Sequence, residues 1–153
     1  MHLTLAFLGT TPDAQVANVA DAVRGAAHDT RAFHASFERV GRFPDHGDPR
    51  VVWLGVGDGA TQLDELAQRV RRALASRGLP FDDKPFRAHV TLARVREAVD
   101  RGQARAIARV VDQAAAPRAT FDVDTLVVYE SVVSSKGPRY TARATAPLGG
   151  GPA

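Results

Sequence analysis

The chain has 153 residues, 44% hydrophobic and 24% charged, the balance of one globular domain with enough apolar surface for a core. It contains no cysteine, so disulfides, thiolate catalysis and cysteine-ligated zinc are excluded, and no apolar run reaches the length of a membrane span. The net charge of +3 rests almost wholly on arginine, with lysine only at Lys84 and Lys136; this biases the surface weakly toward anions, but a solvated surface of this composition is at least as common, so charge alone does not establish RNA binding.

In chain order, the first predicted element is a strand from about Leu3 to Leu8. Thr11-Pro12-Asp13 then reads as a helix start, with Thr11 as N-cap and Pro12 at the first helical position, and Val16, Val19, Ala20, Val23 and Ala27 recur at helical spacing. Ala32 to Val40 reads as a strand with Phe33, Ala35 and Phe37 on one face, Gly41 to Arg50 as a loop, and Val51 to Val56 as the next strand. Leu63, Leu66, Ala67, Val70, Arg71 and Leu74 mark a second amphipathic helix ending near Gly78-Leu79-Pro80. A strand around His89 to Ala93 follows, then a third helix on Ile107, Val110 and Val111. A long strand from Thr120 to Tyr129, a turn at Ser134 to Pro138 and a closing strand from Arg139 to Ala146 complete the series. Residues 149–153 are expected to be a disordered tail after one domain over 1–148. Hairpin signals are as frequent as crossover signals, so the expected class is α+β with mainly antiparallel pairing.

Two near-copies of one phrase carry the chemistry: His2-Leu3-Thr4-Leu5-Ala6 and His89-Val90-Thr91-Leu92-Ala93. Side chains alternate along a strand, so each phrase turns an imidazole and a hydroxyl to one side and its apolar residues to the other. Chance supplies roughly a third of one His-x-Thr in a chain of this composition; the shared Leu-Ala and strand pattern raise the signal, while an isolated histidine on a strand is more often structural. Arg87 shares the parity of His89 and Thr91, whereas Arg94 has the opposite parity and would need strand twist to join them. Phe43 and Tyr140 are candidate stacking surfaces for a base. His28, His34 and His46 lack a threonine at this spacing and read as surface or loop residues, and Trp53 and Phe7 read as core.

The flanking sequence extends the pattern: His2 to Gly9, Gly41-Arg-Phe-Pro44, Pro49 to Gly55, Pro85-Phe-Arg-Ala-His-Val-Thr-Leu-Ala-Arg94, Leu126-Val-Val-Tyr-Glu-Ser131, and Arg139-Tyr140. Together these resemble the two-histidine (2H) phosphoesterases, and within them the RNA 2′,3′-cyclic phosphodiesterases also called 2′-5′ RNA ligases. The resemblance implies a two-lobed α+β fold, each lobe setting one His-x-Thr motif on a central strand beside a shared cleft. Relatives carry another strand and helix before the first motif, so a missing N-terminal segment is expected, and His2 is the less secure histidine. The resemblance also implies that His2 protonates the leaving ribose oxygen, His89 activates water, and Thr4 and Thr91 donate to the phosphate oxygens, with Arg87, Arg94, Phe43 and Tyr140 contacting substrate. The residues alone do not order acid and base.

The expected reaction is metal-independent hydrolysis of an RNA 2′,3′-cyclic phosphate to a 2′-phosphomonoester, with reverse 2′-5′ ligation secondary because hydrolysis is favoured in water. No metal or other cofactor is expected, the partner is RNA, and a cytoplasmic monomer without membrane association is the expected state. Two other readings stay open: the same chemistry on small cyclic nucleotide phosphates or 2′-5′ oligonucleotides, and a non-catalytic RNA-end binding module inactivated by N-terminal truncation.

Overall fold

The structure is a computed structural model that describes residues 2–96, 98–134 and 137–149. It is an α+β fold with elements in the order α1 (Asp13–His28), β1 (Phe33–Phe43), β2 (Val51–Val56), α2 (Ala60–Ala75), β3 (His89–Arg94), α3 (Arg101–Gln113), β4 (Thr120–Val123), β5 (Thr125–Ser134) and β6 (Gly137–Pro147). Contacts divide it into two units, each assembled from three stretches of chain. The first comprises 1–4, 34–64 and 86–121, and the second comprises 5–33, 65–85 and 122–153. Among the described residues no helix is long and apolar enough to cross a membrane.

The second unit is built on the hairpin β5–β6, against which α1 packs. Val19, Ala22, Val23, Ala26 and Ala27 of α1 join Leu66, Val70 and Leu74 of α2, with Leu126, Ala146 and Leu148, in one apolar cluster. The small residues of α1 let its backbone come close to its neighbours. α2 ends because Gly78 adopts a positive φ of 67°: its N–H donates to the Ala75 carbonyl, and the Leu79 N–H reaches back to that of Leu74, satisfying two carbonyls left open at the helix end. Leu79 is thereby folded back into the same cluster as Leu74.

The first unit holds a four-stranded sheet in the order β3-β2-β1-β4, with β1, β2 and β3 pairing antiparallel. α3 opens on a capping box: the Asp100 carboxylate accepts from the Gln103 N–H at 2.9 Å while the Gln103 side chain accepts from the Asp100 N–H. Its Ala104 and Val111 are buried. Arg42 of β1 donates to both carboxylate oxygens of Asp112 on α3, at 2.9 and 3.3 Å, and also to the Pro44 and Gly47 carbonyls, fixing the loop that leaves β1. Hydrogen bonding from Arg42 holds the Asp112 carboxyl below the usual carboxylate range, and the Arg42 guanidinium is raised in return.

On the other face of β1, Gly41 stands opposite Trp53. A Cβ at Gly41 would lie 2.3 Å from the indole ring, and one at Gly55 would lie 2.9 Å from it, so the indole lies flat over two residues that lack side chains.

Several sequence expectations are corrected. The strand from Leu3 to Leu8 does not form: Leu3 makes a single bridge to Val90, while the Phe7 carbonyl accepts from the Asp82 N–H and Leu5, Ala6 and Leu8 pack on the second unit's core. Phe7, expected in the core, is 62% exposed. Thr11 does not cap α1; Pro12 occupies the cap position in an extended conformation and the helix begins at Asp13. Gly41 to Phe43 continue β1 instead of opening a loop, because they pair with Trp53, Val52 and Val51. Residues 120–129 form two strands: β4 lies beside β1, where Phe121 stacks on Phe37, and β5 pairs with β6. Val110 is exposed, since the buried side of α3 runs through Ala104 and Val111. Gly149 is held by a bond from its N–H to the Ala27 carbonyl; the rest of the expected tail and part of the turn at 134–138 lie outside the described residues.

Gly41→Ala is expected to destabilise the fold by about 3 kcal/mol, the upper end for overpacking, because the indole is wedged between backbone strands; urea unfolding measures this. Asp112 ionises more readily folded than unfolded, so its contribution is fully present above the unfolded carboxylate pKa of about 4 and is lost as pH falls through the lower folded value. The stability advantage of the native chain over Asp112→Asn therefore shrinks on acidification below about pH 4 and is constant at neutral pH, as paired thermal melts will register.

Candidate active site

β3 places Val90 in the core at 7% exposure and turns His89 and Thr91 to the opposite face. The antiparallel bridge between Leu3 and Val90 sets the register of the first motif against the second. In that register His2 is opposite Thr91 and Thr4 is opposite His89, all four on the face away from Val90. The two imidazoles are then diagonal neighbours, whose positions across paired strands are about 7–8 Å apart. Both motifs fall in the first of the two contact units.

The same face continues across the sheet. His89 is opposite Gly55 and Thr91 is opposite Trp53 on β2, and these in turn face Arg39 and Gly41 on β1. The Phe43 ring stands edge-on to His89 at 5.3 Å between centroids and 5.1 Å from Trp53; His89 and Trp53 are 6.2 Å apart. Two arginines lie over these aromatics, Arg39 on Trp53 at 5.0 Å and Arg87 on Phe43 at 5.3 Å. Together with Asp45, which pairs with Arg87 at 3.4 Å, these side chains and His89 line a cavity of about 490 Å³.

His89 is oriented by the residues that lead into its strand. Its Nδ1 lies 2.7 Å from the Arg87 carbonyl oxygen. A carbonyl only accepts, so Nδ1 carries the hydrogen, and in the neutral ring the lone pair is on Nε2. The Thr4 and Thr91 hydroxyls have no hydrogen-bond partner among the described residues. Two imidazoles and two such hydroxyls on one face can move protons at opposite sides of a group held among them while donating to its oxygens.

Arg94 joins this face, against the parity read from the sequence. Between Thr91 and Ala93 the pairing to β2 shifts by one residue, Leu92 being the extra one, so Arg94 is opposite Val51 on the side that carries Trp53 and Gly55. A bulge is invisible to strict alternation. Tyr140 belongs to the second unit, on β6, where it meets Tyr129 edge-on at 6.1 Å. His28, His34 and His46 are exposed on α1, β1 and the loop after β1. Arg39, Asp45 and Arg42 escaped the sequence reading, and Trp53, read as core, is both buried at 4% exposure and a wall of the cavity. A signal was present in Gly41 and Gly55, since glycine inside a strand marks a close approach. Among the described residues no three His, Cys, Asp or Glu side chains group as metal ligands.

The family model of the 2′-5′ RNA ligase superfamily matches residues 1–134. A curated RNA 2′,3′-cyclic phosphodiesterase from Aquifex aeolicus is 32% identical over 151 residues, covering 98% of this chain and 79% of the relative. Another so named, from Geobacillus stearothermophilus, is 32% identical over 151 residues, which cover 99% of this chain but 46% of that longer protein. The crystal structure of E. coli LigT complexed with 3′-AMP superposes with a TM-score of 0.71 at 26% identity, over 96% of this chain and 76% of LigT. With the paired His-x-Thr face at its centre, the chain belongs to the 2′-5′ RNA ligase superfamily.

Proposed function

We propose that the chain hydrolyses RNA ends bearing a 2′,3′-cyclic phosphate, without a metal, to leave a 2′-phosphomonoester. The observation that carries this reading is the Leu3–Val90 bridge, whose register brings both histidines and both threonines to one face. Curated relatives of the same name over nearly the whole chain support the reaction, and a relative complexed with 3′-AMP supports a nucleotide as ligand.

His89 is the proton acceptor in this reading, because its Nδ1 bond to Arg87 leaves the Nε2 lone pair for a water molecule. That water attacks phosphorus, forming the new P–O bond as the P–O3′ bond breaks. His2 gives a proton to the departing O3′, and the phosphate stays on O2′. Thr4 and Thr91 donate to the non-bridging oxygens as their charge grows. Arg87 and Arg94 meet the phosphate or the adjoining backbone, and Phe43 offers its ring to a base. Acid, base and oxyanion donors are all supplied by side chains, so the scheme requires no metal.

Incubating the chain with a short RNA ending in a 2′,3′-cyclic phosphate, in the presence of EDTA, is expected to give the 2′-phosphate alone; a 3′-phosphate product would reject the assigned polarity. His89→Ala is expected to lower kcat about 10²–10⁴-fold, the range of general base catalysis, with the fold retained in circular dichroism. A native rate in that variant would overturn the mechanism.

A further inference from the structure

α3 carries three arginines, Arg101, Arg105 and Arg109, at intervals of four residues, so they line one flank of the helix at steps of about 6 Å. None has an ion-pair or hydrogen-bond partner among the described residues. Among the described residues, the acids at the two ends of α3 are already engaged: Asp100 caps the helix and Asp112 holds Arg42. Some arginines elsewhere pair with acids, as Arg24 does with Asp21 and Arg143 with Glu130, while others, such as Arg69 and Arg118, have no partner among the described residues.

The row is unfavourable for the isolated fold in two respects. Like charges four residues apart repel along a helix, and Arg101 sits in the first turn, where the helix dipole disfavours a cation. An anionic partner reverses both effects. Arg94 ends β3 on the active face, whereas α3 lies against the opposite face of the sheet through Arg42 and Asp112.

We propose that the Arg101, Arg105 and Arg109 flank of α3 binds the sugar–phosphate backbone of RNA upstream of the cyclic end, a reading that rests on the RNA-end function above. Arginine forks match phosphate oxygens, and such contacts hold the strand without reading its sequence.

The test compares the native chain with the triple variant R101Q/R105Q/R109Q, glutamine being a good helix former. Two measurements are made over a series of salt concentrations: turnover of a dinucleotide and of a twenty-nucleotide RNA, each with a cyclic phosphate end, and fluorescence anisotropy of the same long RNA with a plain 3′-hydroxyl. The native chain is expected to bind long RNA with affinity falling steeply with salt. The variant should lose at least ten-fold in affinity at low salt and about two units of the logarithmic salt slope, since each single-strand phosphate contact contributes about 0.7. Dinucleotide turnover should be unchanged and the melting temperature equal or higher, because repulsion is relieved. Equal affinity and salt slope in the two proteins would overturn the proposal while leaving the hydrolase reading intact. Arginine-dependent binding without turnover of either substrate would uphold the track and overturn the hydrolase reading.

Discussion

The indole of Trp53 lies against a stretch of sheet that has no side chains to lift it, and the geometry of the active face follows from that contact. Gly41 opposite and Gly55 along the strand let the ring settle onto the backbone, where Arg39 covers it and Phe43 closes one side. His89 then stands edge-on against an aromatic floor of Phe43 and Trp53, half-buried beside it. The Trp53 Nε1 atom is buried without a hydrogen-bond partner among the described residues, a cost of about 1–3 kcal/mol that the ring's apolar burial and stacking offset.

Arg42 works from the opposite side of the same strand. It joins β1 to α3 through Asp112 and holds the following loop by two carbonyls, and that loop presents Asp45 to Arg87. Because the Arg87 carbonyl accepts the hydrogen bond from His89, a set of polar contacts joined by short stretches of backbone connects α3 to the imidazole. The position of the second histidine is thus supported through the residues that lead into β3, by Arg42 and Asp112, which lie away from the active face. A catalytic face needs this kind of support, since errors of a fraction of an ångström are costly to proton transfer.

What the sequence discloses here depends on whether a feature is periodic. The helices were legible because apolar residues recur at helical spacing, and Val51–Val56 was legible as an apolar run between breakers. Both His-x-Thr pairs could be read as facing one way because alternation holds from His89 to Thr91. The bulge at Leu92 and the break at Asp124 were not legible, because each is decided by a partner strand distant in sequence and carries no local punctuation; the extension of β1 through Gly41 was masked by a glycine that reads as a breaker but pairs with Trp53 on the next strand. The single bridge at Leu3 belongs to the same class: the phrase has the pattern of a strand, but its second half is drawn into a different apolar core.

The chain holds one tryptophan, and it is the residue on which the active face rests. Both tyrosines, Tyr129 and Tyr140, belong to the other unit. Excitation at the red edge of the absorption band therefore addresses a single fluorophore with a guanidinium over its ring and an imidazole 6.2 Å away. A phosphate or base arriving at that face alters the local field and the quenching of this indole, giving the protein an intrinsic optical readout of occupancy that needs no label and no turnover.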